Sequence, residues 1–141
     1  MKKILVAVDS SDHAQKVTEE AVKLAAGLNA QVEILTVYED LMKDVPQIPQ
    51  ADRENIRKTH LEELETLLQE KARLFEEKGI PVQTTLAKGR PGQVICDTAK
   101  GDDYFLVLLG SRGLSGLTEF FLGSVSNKVA HCAEKSVLII K

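Results

Sequence analysis

Short apolar runs alternate with helical patterns along the whole chain, and this alternation restricts the possible folds more than any other feature of the sequence. Runs typical of strands cover residues 4–8, 32–37, 82–86, 104–109 and 137–140. Between successive runs, apolar residues recur at the spacing of helices that bury one face. Five strands alternating with four helices predict a three-layer α/β fold, in which a mainly parallel, open sheet has helices on both faces.

The polarity of each run predicts the position of its strand in the sheet. The first run (4–8) and the fourth (104–109) are continuously apolar, as is typical of central strands that are buried on both faces. The third run (82–86) alternates polar and apolar residues and is therefore expected at an edge. The Rossmann-like strand order 3-2-1-4-5 meets these conditions. It also predicts a ligand crevice between strands one and four, beyond their carboxyl ends.

Two segments after the second strand differ sharply in character. Residues 39–50 contain Pro46 and Pro49 and show no periodicity, which predicts a long loop. Loops of this length are usually lids, binding loops or partly disordered segments. Residues 51–78 carry apolar residues on one face and charges on the other, so we expect an amphipathic surface helix whose charged face is solvated.

The composition is that of an ordinary soluble globular protein. The 141 residues fit a single domain spanning 1–141, with 43% hydrophobic and 28% charged residues. The net charge of −3 argues against a nucleic-acid binder, which would need a basic patch. No apolar run is long enough to span a bilayer, and none resembles a signal peptide. We therefore expect a cytoplasmic protein that contacts neither membranes nor nucleic acid.

The cysteines and histidines give no indication of a metal site. Cys96 and Cys132 lie on the apolar faces of two predicted helices, which predicts two reduced thiols in the core. His13, His60 and His131 are scattered without the spacing of metal ligands. We expect these histidines at the surface or at the boundary of the core.

The segment LVLLGSRGLSGLTEFFLGSVS, residues 106–126, carries the strongest functional signal. The fourth strand ends in the sequence GSRG, and a helix is predicted to begin close to Ser124, directly after Gly123. A helix N-terminus offers unpaired N–H groups and a partial positive charge, both of which favour an anion such as phosphate. The hydroxyl groups of Ser111, Ser124 and Ser126 would add further donors.

The same loop has a simpler interpretation that the residues alone leave open. Glycines after a strand are most often turn residues, and a serine before a helix is most often an N-cap. Neither G-x-x-x-x-G-K-[ST] nor G-x-G-x-x-G, the familiar phosphate-loop motifs, occurs in the chain. A phosphate site and an ordinary turn are therefore equal alternatives at this point.

The pattern G-x2-G-x9-G-S at residues 110–124 resembles the nucleotide-binding signature G-2x-G-9x-G-[ST] of the universal stress protein family. The opening residues 2–9, KKILVAVD, and the closing residues 136–140, SVLII, are also similar to that family, so the resemblance covers the whole chain. It implies a nucleotide-binding member whose ligand is ATP or another adenine nucleotide, accompanied by Mg²⁺.

The resemblance also implies roles for individual residues. In the family, the aspartate after strand one and the valine that ends strand two contact the nucleoside, which transfers these roles to Asp9 and Val37; the glycine loop takes the phosphates. Simpler alternatives are that Asp9 caps the following helix, that Val37 belongs to the core and that Arg112 is solvated. The nucleotide-binding residues implied in this way are Ala7, Asp9, Val37, Gly110, Ser111, Arg112, Gly113, Gly123, Ser124, Val125 and Ser126.

Three classes of function follow, in decreasing order of support. The resemblance favours a nucleotide-binding regulatory protein of the stress response with slow or no hydrolysis. An ATPase, nucleotidyl transferase or self-phosphorylating enzyme would need a positioned metal, cation and base, for which the candidates are Asp9, Lys88, Arg112 and Lys128. A dimeric protein-interaction module without a nucleotide is the third class, and the intact glycine pattern counts against it.

Two apolar segments are candidate surfaces for contact with another protein chain. The last strand is short and lies at the predicted sheet edge, so we expect a homodimer in which Val137, Leu138, Ile139 and Ile140 pair with their symmetry mates. The family resemblance implies the same, and the sequence names no downstream protein partner. Within the glycine loop, apolar residues either pack against the body or form a partner surface, and packing is favoured. These residues are Leu114, Leu117, Phe120, Phe121 and Leu122.

Overall fold

The structure, a computed structural model, describes residues 2–112 and 122–141. Strands and helices alternate within these ranges as predicted, and the long loop after the second strand covers residues 39–49. The elements are β1 (Lys3–Ala7), α1 (His13–Leu28), β2 (Gln31–Tyr38), α2 (Gln50–Glu76), β3 (Val82–Lys88), α3 (Pro91–Thr98), β4 (Tyr104–Gly110), α4 (Ser124–Cys132) and β5 (Ser136–Ile140).

The strands pair in parallel in the order β3-β2-β1-β4-β5, which confirms the predicted topology. β1 is the central strand, and its residues Ile4, Leu5 and Val6 are all fully buried. Successive side chains of a strand point to opposite faces of the sheet, so helices must cover both faces of β1. β3 lies at an edge, where Gln83 and Thr84 are exposed to solvent. The edge position of β3, predicted from its alternating polarity, and the central position of β1, predicted from its continuous apolar run, are therefore confirmed.

The helices form two layers, with α1 and α2 on one face of the sheet and α3 and α4 on the other. On the first face, Val17 and Ala21 of α1 and Leu68 and Phe75 of α2 pack against the buried side of the central strands. Full burial of a side chain as large as Val17, Leu68 or Phe75 contributes about 1.5–3 kcal/mol. In the described ranges, no helix combines the length and the apolar character needed to cross a membrane.

α3 and α4 lie side by side and are joined by a disulfide bond between Cys96 and Cys132, whose Cα atoms are 6.0 Å apart. That separation is within the range that disulfides require. The prediction of two reduced core thiols is therefore wrong for this structure. Helical periodicity placed both cysteines on inner helix faces, but it carries no information about which helices become neighbours.

A buried polar cluster occupies the amino end of the sheet. Glu33 of β2 is only 6% exposed. Its carboxylate accepts hydrogen bonds from the Tyr104 hydroxyl at 2.7 Å and from the Gln83 side-chain amide, and Lys3 Nζ lies 3.9 Å away. Burial, together with the hydrogen bond to Glu33, raises the pKa of the Tyr104 hydroxyl well above its usual value. The cluster thereby joins side chains from four adjacent strands.

A β-bulge lies beside this cluster. Lys3 is opposite Tyr104, but the next residue, Ile4, is opposite Leu106, so that Phe105 has no partner in the pairing of β1 with β4. Such an extra residue bends a strand and increases its local twist. From Leu106 onwards the pairing of β4 with β1 and with β5 is regular.

Candidate functional site

A cleft of about 290 Å³ opens at the carboxyl ends of β1 and β4. These strands are neighbours, but the chain continues from β1 into the α1 layer and from β4 into the α4 layer on the opposite face. The divergence leaves room between the two connections, which is why open parallel sheets bind ligands at such positions. The volume is close to the lower end of the range for small-molecule sites.

The connection after β1 contributes Asp9. Its Oδ1 atom accepts a hydrogen bond from the backbone N–H of Ser11 at 3.0 Å and another from the Ser11 hydroxyl. These bonds hold the turn that precedes α1. The N-cap residue of that helix is Asp12, and no side-chain hydrogen bond caps it, so the alternative in which Asp9 caps the helix is wrong. Asp9 nevertheless lines the cleft. In the described part of the chain both bonds fall on Oδ1, so Oδ2 is the oxygen available to a ligand.

One wall of the cleft is the beginning of α4, which starts at Ser124 as predicted. We call Gly123, Ser124, Val125 and Ser126 the α4 wall, because all four line the cleft. The first N–H groups of a helix have no partner within it, and at the start of α4 the N–H of Asn127 donates to Gly123 O at 2.9 Å. The N–H groups of Ser124, Val125 and Ser126 are therefore left to bind an anion, which the helix dipole also favours.

Hydrogen bonds close the base of the glycine loop. Ser111 O accepts a bond from the N–H of Gly123 at 2.7 Å, while the N–H of Ser111 donates to Ile140 O at 2.8 Å. The Ser126 hydroxyl donates to Gly123 O at 3.0 Å. The two ends of the loop are thereby held together at the end of β5, and the start of α4 is fixed relative to the sheet.

Two glycines of the pattern are required by the packing of the protein itself. A Cβ atom at Gly110 would lie 2.6 Å from His13 Cδ2 and 2.9 Å from Val17 Cγ2, closer than packed atoms allow. A Cβ atom at Gly123 would lie 3.2 Å from Ser111 O, a tight contact with the backbone. Substitution of Gly110 therefore requires His13 and Val17 to move, whereas substitution of Gly123 requires a smaller shift of the backbone at Ser111.

A second wall consists of residues from β2, the loop 39–49 and α2. The His60 ring packs edge-on against Tyr38, with 5.4 Å between the ring centroids. Leu64 is 4% exposed, whereas Leu41 is 67% exposed and can contact a ligand from the solvent side. Most of this wall is apolar or aromatic, in contrast to the polar start of α4. We call its cleft-lining residues Val37, Glu39, Leu41, His60 and Leu64 the α2 wall.

Sequence reasoning connected only Val37 of the α2 wall with a ligand. The prediction that His60 lies at the boundary of the core is confirmed, since it is partly buried, but its place in a cleft was not foreseen. The signal that could have indicated this wall was the length of the loop 39–49, a usual feature of binding sites. The helical spacing of Leu64 predicted burial and gave no indication of a neighbouring cleft.

An ion pair joins the loop of the α2 wall to α2 itself. Arg57 Nη2 lies 3.1 Å from Asp40 Oδ2, and Arg57 Nε donates to Asp40 Oδ1 at 3.2 Å. Partial desolvation raises the pKa of Asp40, but the N–H of Met42 and the Arg57 guanidinium outweigh it and hold this pKa below its usual value of 3.8. The carboxylate is therefore charged at neutral pH and keeps the loop against the helix.

The cleft brings together most of the residues that the sequence implied. Ser111 is 6% exposed and lies buried beside the lining, where its backbone closes the loop. Gly113 lies outside the described residues, as do Leu114, Leu117, Phe120 and Phe121, whereas Leu122 is 39% exposed. The residues that line the cleft as implied are Ala7, Asp9, Val37, Gly110, Arg112 and the four residues of the α4 wall.

The charged residues considered for phosphoryl transfer separate into two pairs. Asp9 and Arg112 line the cleft. Lys88 is exposed at the end of β3, and the aliphatic chain of Lys128 lies over Gly92 of α3. Among the described residues, no cluster of three or more His, Cys, Asp or Glu side chains could hold a metal ion. The lining therefore offers one carboxylate and one guanidinium of this set to a bound ligand.

The sequence profile of the universal stress protein family matches residues 1–141. The chain belongs to the universal stress protein family. Among the curated relatives, universal stress protein Sll1388 from Synechocystis sp. is 38% identical over 149 residues, which cover 99% of this chain and 97% of the relative. Universal stress protein YxiE from Bacillus subtilis is 34% identical over 145 residues, which cover 99% and 98% of the two chains.

Solved structures of universal stress proteins share this fold. UspA from Lactobacillus plantarum superposes with a TM-score of 0.88 at 25% identity, covering 99% of this chain and 97% of that one. A universal stress protein in complex with cAMP has a TM-score of 0.74 at 24% identity, covering 99% and 97%. One from Archaeoglobus fulgidus in complex with dAMP has a TM-score of 0.71 at 23% identity, covering 100% and 98%. These similarities confirm the α/β fold with strand order 3-2-1-4-5.

Proposed function

We propose that this universal stress protein binds an adenine nucleotide, ATP in the first instance, and acts as a regulatory module of the stress response. One observation carries the proposal: the N-terminus of α4 and the apolar part of the α2 wall open into the same cleft. A nucleotide has the same division, with anionic phosphates at one end and a largely apolar base at the other. The relatives in complex with cAMP and dAMP support an adenine ligand.

The phosphates are placed at the α4 wall. The unpaired N–H groups of Ser124, Val125 and Ser126 and the positive end of the helix dipole favour anions, and the first turn of α4 contains no acidic residue. Arg112, exposed at the cleft, supplies a positive charge. We assign the same phosphate-binding role to Ser111 and Gly113, on the strength of the family pattern.

The nucleoside is placed between the strand ends and the α2 wall. The base contacts Val37 and Leu64, and the ribose hydroxyls donate to Asp9 Oδ2. Ala7 and Gly110, the last residues of β1 and β4, form the floor of the site between the two ends of the ligand. At Gly110 the floor consists of backbone, because the space that a side chain would fill is occupied by His13 and Val17.

The proposed ligand would bring Mg²⁺ with its phosphates. Mg²⁺ prefers oxygen ligands, keeps several waters and is usually held by one or two carboxylates together with phosphate oxygens. The Asp9 carboxylate lines the cleft and fits this requirement. Its Oδ2 would bind the ion directly or through a water, as the alternative to the ribose hydroxyls. The ion would neutralise part of the phosphate charge, and the other groups of the site would act on the nucleotide itself.

We further propose that hydrolysis is slow or absent. Efficient phosphoryl transfer needs a base or water-orienting group in addition to metal and cation. Asp9 Oδ1 is already engaged by Ser11, and Arg112 is exposed. Groups that bind the substrate and the transition state equally well do not accelerate chemistry. A weak ATPase or a self-phosphorylating enzyme is the alternative function of the same cleft.

Calorimetric titration of Mg·ATP into the purified protein tests the proposal. We expect saturable binding of one nucleotide per chain, and we expect mass spectrometry of small molecules released from freshly purified, denatured protein to detect an adenine nucleotide. Absence of detectable affinity at millimolar ATP would reject the nucleotide site and favour the interaction module. A steady-state hydrolysis rate above about one per second, within the usual enzyme range, would favour the enzyme instead.

We also propose that two copies pair through β5. This strand lies at the sheet edge and exposes 39% of Leu138, an arrangement that proteins usually cover. Pairing with a symmetry mate would satisfy the edge and bury that side chain. Leu138→Asp is the informative variant, because Ile139 packs against the core and its replacement would also damage the fold.

Sedimentation at micromolar concentration measures the effect on the dimer. We expect a wild-type dimer that dissociates in Leu138→Asp, while Thr84→Asp, which places the same charge on the opposite edge strand, stays dimeric. A monomeric wild type, or a Leu138→Asp variant that remains a dimer, would contradict pairing through β5.

A further inference from the structure

We propose that Cys96 and Cys132 form a redox-active pair whose oxidation to the disulfide increases the affinity of the cleft for nucleotide. The inference rests on the proposed function, because it concerns the same cleft. It begins from the disulfide bond itself, which joins α3 to α4 on one face of the sheet. In its reduced state the pair is a dithiol, and we propose that small-molecule disulfides oxidise it to this bond.

Both helices joined by the disulfide contribute to the cleft. α3 lines it through Pro91 and Ile95, and α4 lines it through its first turn. Cys132 is the last residue of α4, a helix of nine residues. Because a helix this short moves as one body, a covalent link at its end also restrains Ser124 at its beginning.

The disulfide also closes a covalent ring around the glycine loop. Cys96 and Cys132 are 36 residues apart in the sequence, and the segment between them contains β4, the whole loop and the start of α4. A cross-link of this kind removes conformations that the open chain can visit. Binding then requires less ordering of the first turn of α4 relative to α3, so the oxidised protein should hold the phosphates more tightly.

The surroundings of the two sulfurs accommodate the reduced state as well. Cys96 Sγ lies 4.0 Å from Val129 O, and Cys132 Sγ lies 3.8 Å from Gly92 O. In the dithiol form these carbonyl groups would accept weak S–H hydrogen bonds. Neither thiol would therefore be buried without a partner, and α3 and α4 can stay packed in both states.

The chemistry is ordinary thiol–disulfide exchange with a small-molecule disulfide. Cys96 is 2% exposed and Cys132 is partly exposed, so the Cys132 thiolate is the group that attacks first. Attack breaks the S–S bond of the small molecule, forms a mixed disulfide on Cys132 and releases one thiolate. The Cys96 thiolate then attacks Cys132 Sγ and releases the second. Two electrons pass to the small molecule, and each released thiolate takes up one of the two protons.

Titration of Mg·ATP into the oxidised and the reduced wild-type protein tests the coupling. We expect the oxidised form to bind about tenfold more tightly, within the usual range of coupling between two sites. Because such coupling is reciprocal, saturating nucleotide should lower the midpoint potential of the cysteine pair by about 30 mV, the two-electron equivalent of a tenfold change. This second measurement needs no substitution in the protein.

Cys132→Ser provides the matched control, since it keeps the size of the side chain and cannot form the bond. Its affinity for Mg·ATP should equal that of the reduced wild type in both oxidising and reducing buffer. Equal affinity of the oxidised and reduced wild type would overturn the inference and leave the proposed function intact, as would thiols that stay free in the presence of a small-molecule disulfide. Absence of ATP binding in both states would overturn the proposed function and this inference together.

Discussion

The two walls of the cleft are built from different kinds of atoms. The α4 wall consists of four consecutive residues, which offer the backbone N–H groups of the first turn of α4 and the hydroxyl groups of Ser124 and Ser126. The α2 wall consists of larger side chains from β2, the loop 39–49 and α2. Leu41 of the loop and His60 of α2 are two of them. The α4 wall is therefore local in sequence and independent of most side chains, whereas the α2 wall depends on the tertiary packing of distant residues.

This difference determines how each wall responds to substitution. A wall made of backbone N–H groups cannot be removed by truncating side chains, because every residue except proline carries the same group. It can only be blocked by added charge or bulk. The α2 wall can be truncated one side chain at a time, with a loss in proportion to the contact removed. Added charge is therefore the informative change in the α4 wall, and truncation is the informative change in the α2 wall.

The largest effect is expected from Ser124→Asp in the α4 wall. Ser124 is exposed at the first position of α4, so a carboxylate there would repel the phosphates and weaken Mg·ATP binding about a hundredfold or more. The same carboxylate interacts favourably with the helix dipole, so the melting temperature should not fall. Calorimetric titration and thermal melts measure the two quantities. Ser124→Asn, which has the same shape without the charge, should bind within a few-fold of the wild type.

An equal loss of affinity in Ser124→Asp and Ser124→Asn would show that shape, and not charge, matters at this position. Unchanged affinity in both variants would place the phosphates elsewhere. Ser124 is a sharper probe than Gly123, whose replacement would press a Cβ atom towards Ser111 O and alter the fold along with the site.

A smaller, selective effect is expected from His60→Ala in the α2 wall. Loss of an aromatic contact should weaken Mg·ATP binding about fivefold, while inorganic triphosphate, which has no base, should bind as it does to the wild type. Ser124→Asp, by contrast, should lose both ligands. His131→Ala is the matched control, because this histidine is exposed on α4 and bonds to Asn127 O. A parallel loss of ATP and triphosphate in His60→Ala would contradict the separation of the two walls.

The smallest effect is expected from the ion pair between Asp40 and Arg57. The pKa of Asp40 is lowered in the folded protein, so its contribution to stability is present above the ordinary pKa of 3.8 and is lost as the pH falls through the folded value. The difference in melting temperature between the wild type and Asp40→Asn should therefore be constant from pH 7 to pH 5 and should shrink only below pH 3.8.

At neutral pH, Arg57→Ala should accelerate hydrogen exchange in the loop 39–49 and weaken Mg·ATP binding by a few-fold at most, because exposed ion pairs contribute little. Lys58→Ala, at an exposed neighbouring position, is the control. Unchanged exchange in Arg57→Ala would show that the loop is held by other contacts.

The same division explains which features were predictable from the sequence. The continuous apolar runs of β1 and β4 and the alternation in β3 are properties of single segments, and they were sufficient for the strand order. The start of α4 at Ser124 followed from the spacing of glycine and apolar residues within one stretch. Features that reside in one segment could therefore be inferred directly.

Features that arise between segments could not be predicted in this way. The disulfide between Cys96 and Cys132 depends on α3 and α4 being neighbours, and periodicity does not specify neighbours. His60 becomes part of the cleft only because α2 carries it to the end of β2, next to Tyr38. Asp9 shows an intermediate case, since its position after the first strand was predicted, whereas the bonds of its Oδ1 to Ser11, in the turn before α1, were not.

The buried carboxylate of Glu33 fixes the register of the strands at the amino end of the sheet, and the cleft lies at the opposite end. Each residue of a strand advances about 3.3 Å, so a slip of one residue at the amino end would displace the carboxyl end by the same amount, roughly the length of a hydrogen bond. Such a slip would separate Glu33 from Lys3, Gln83 and Tyr104, which belong to three other strands, and leave its charge buried without partners. The cluster lies away from the cleft, but by fixing the register of the strands it determines the position of Gly110 in the cleft.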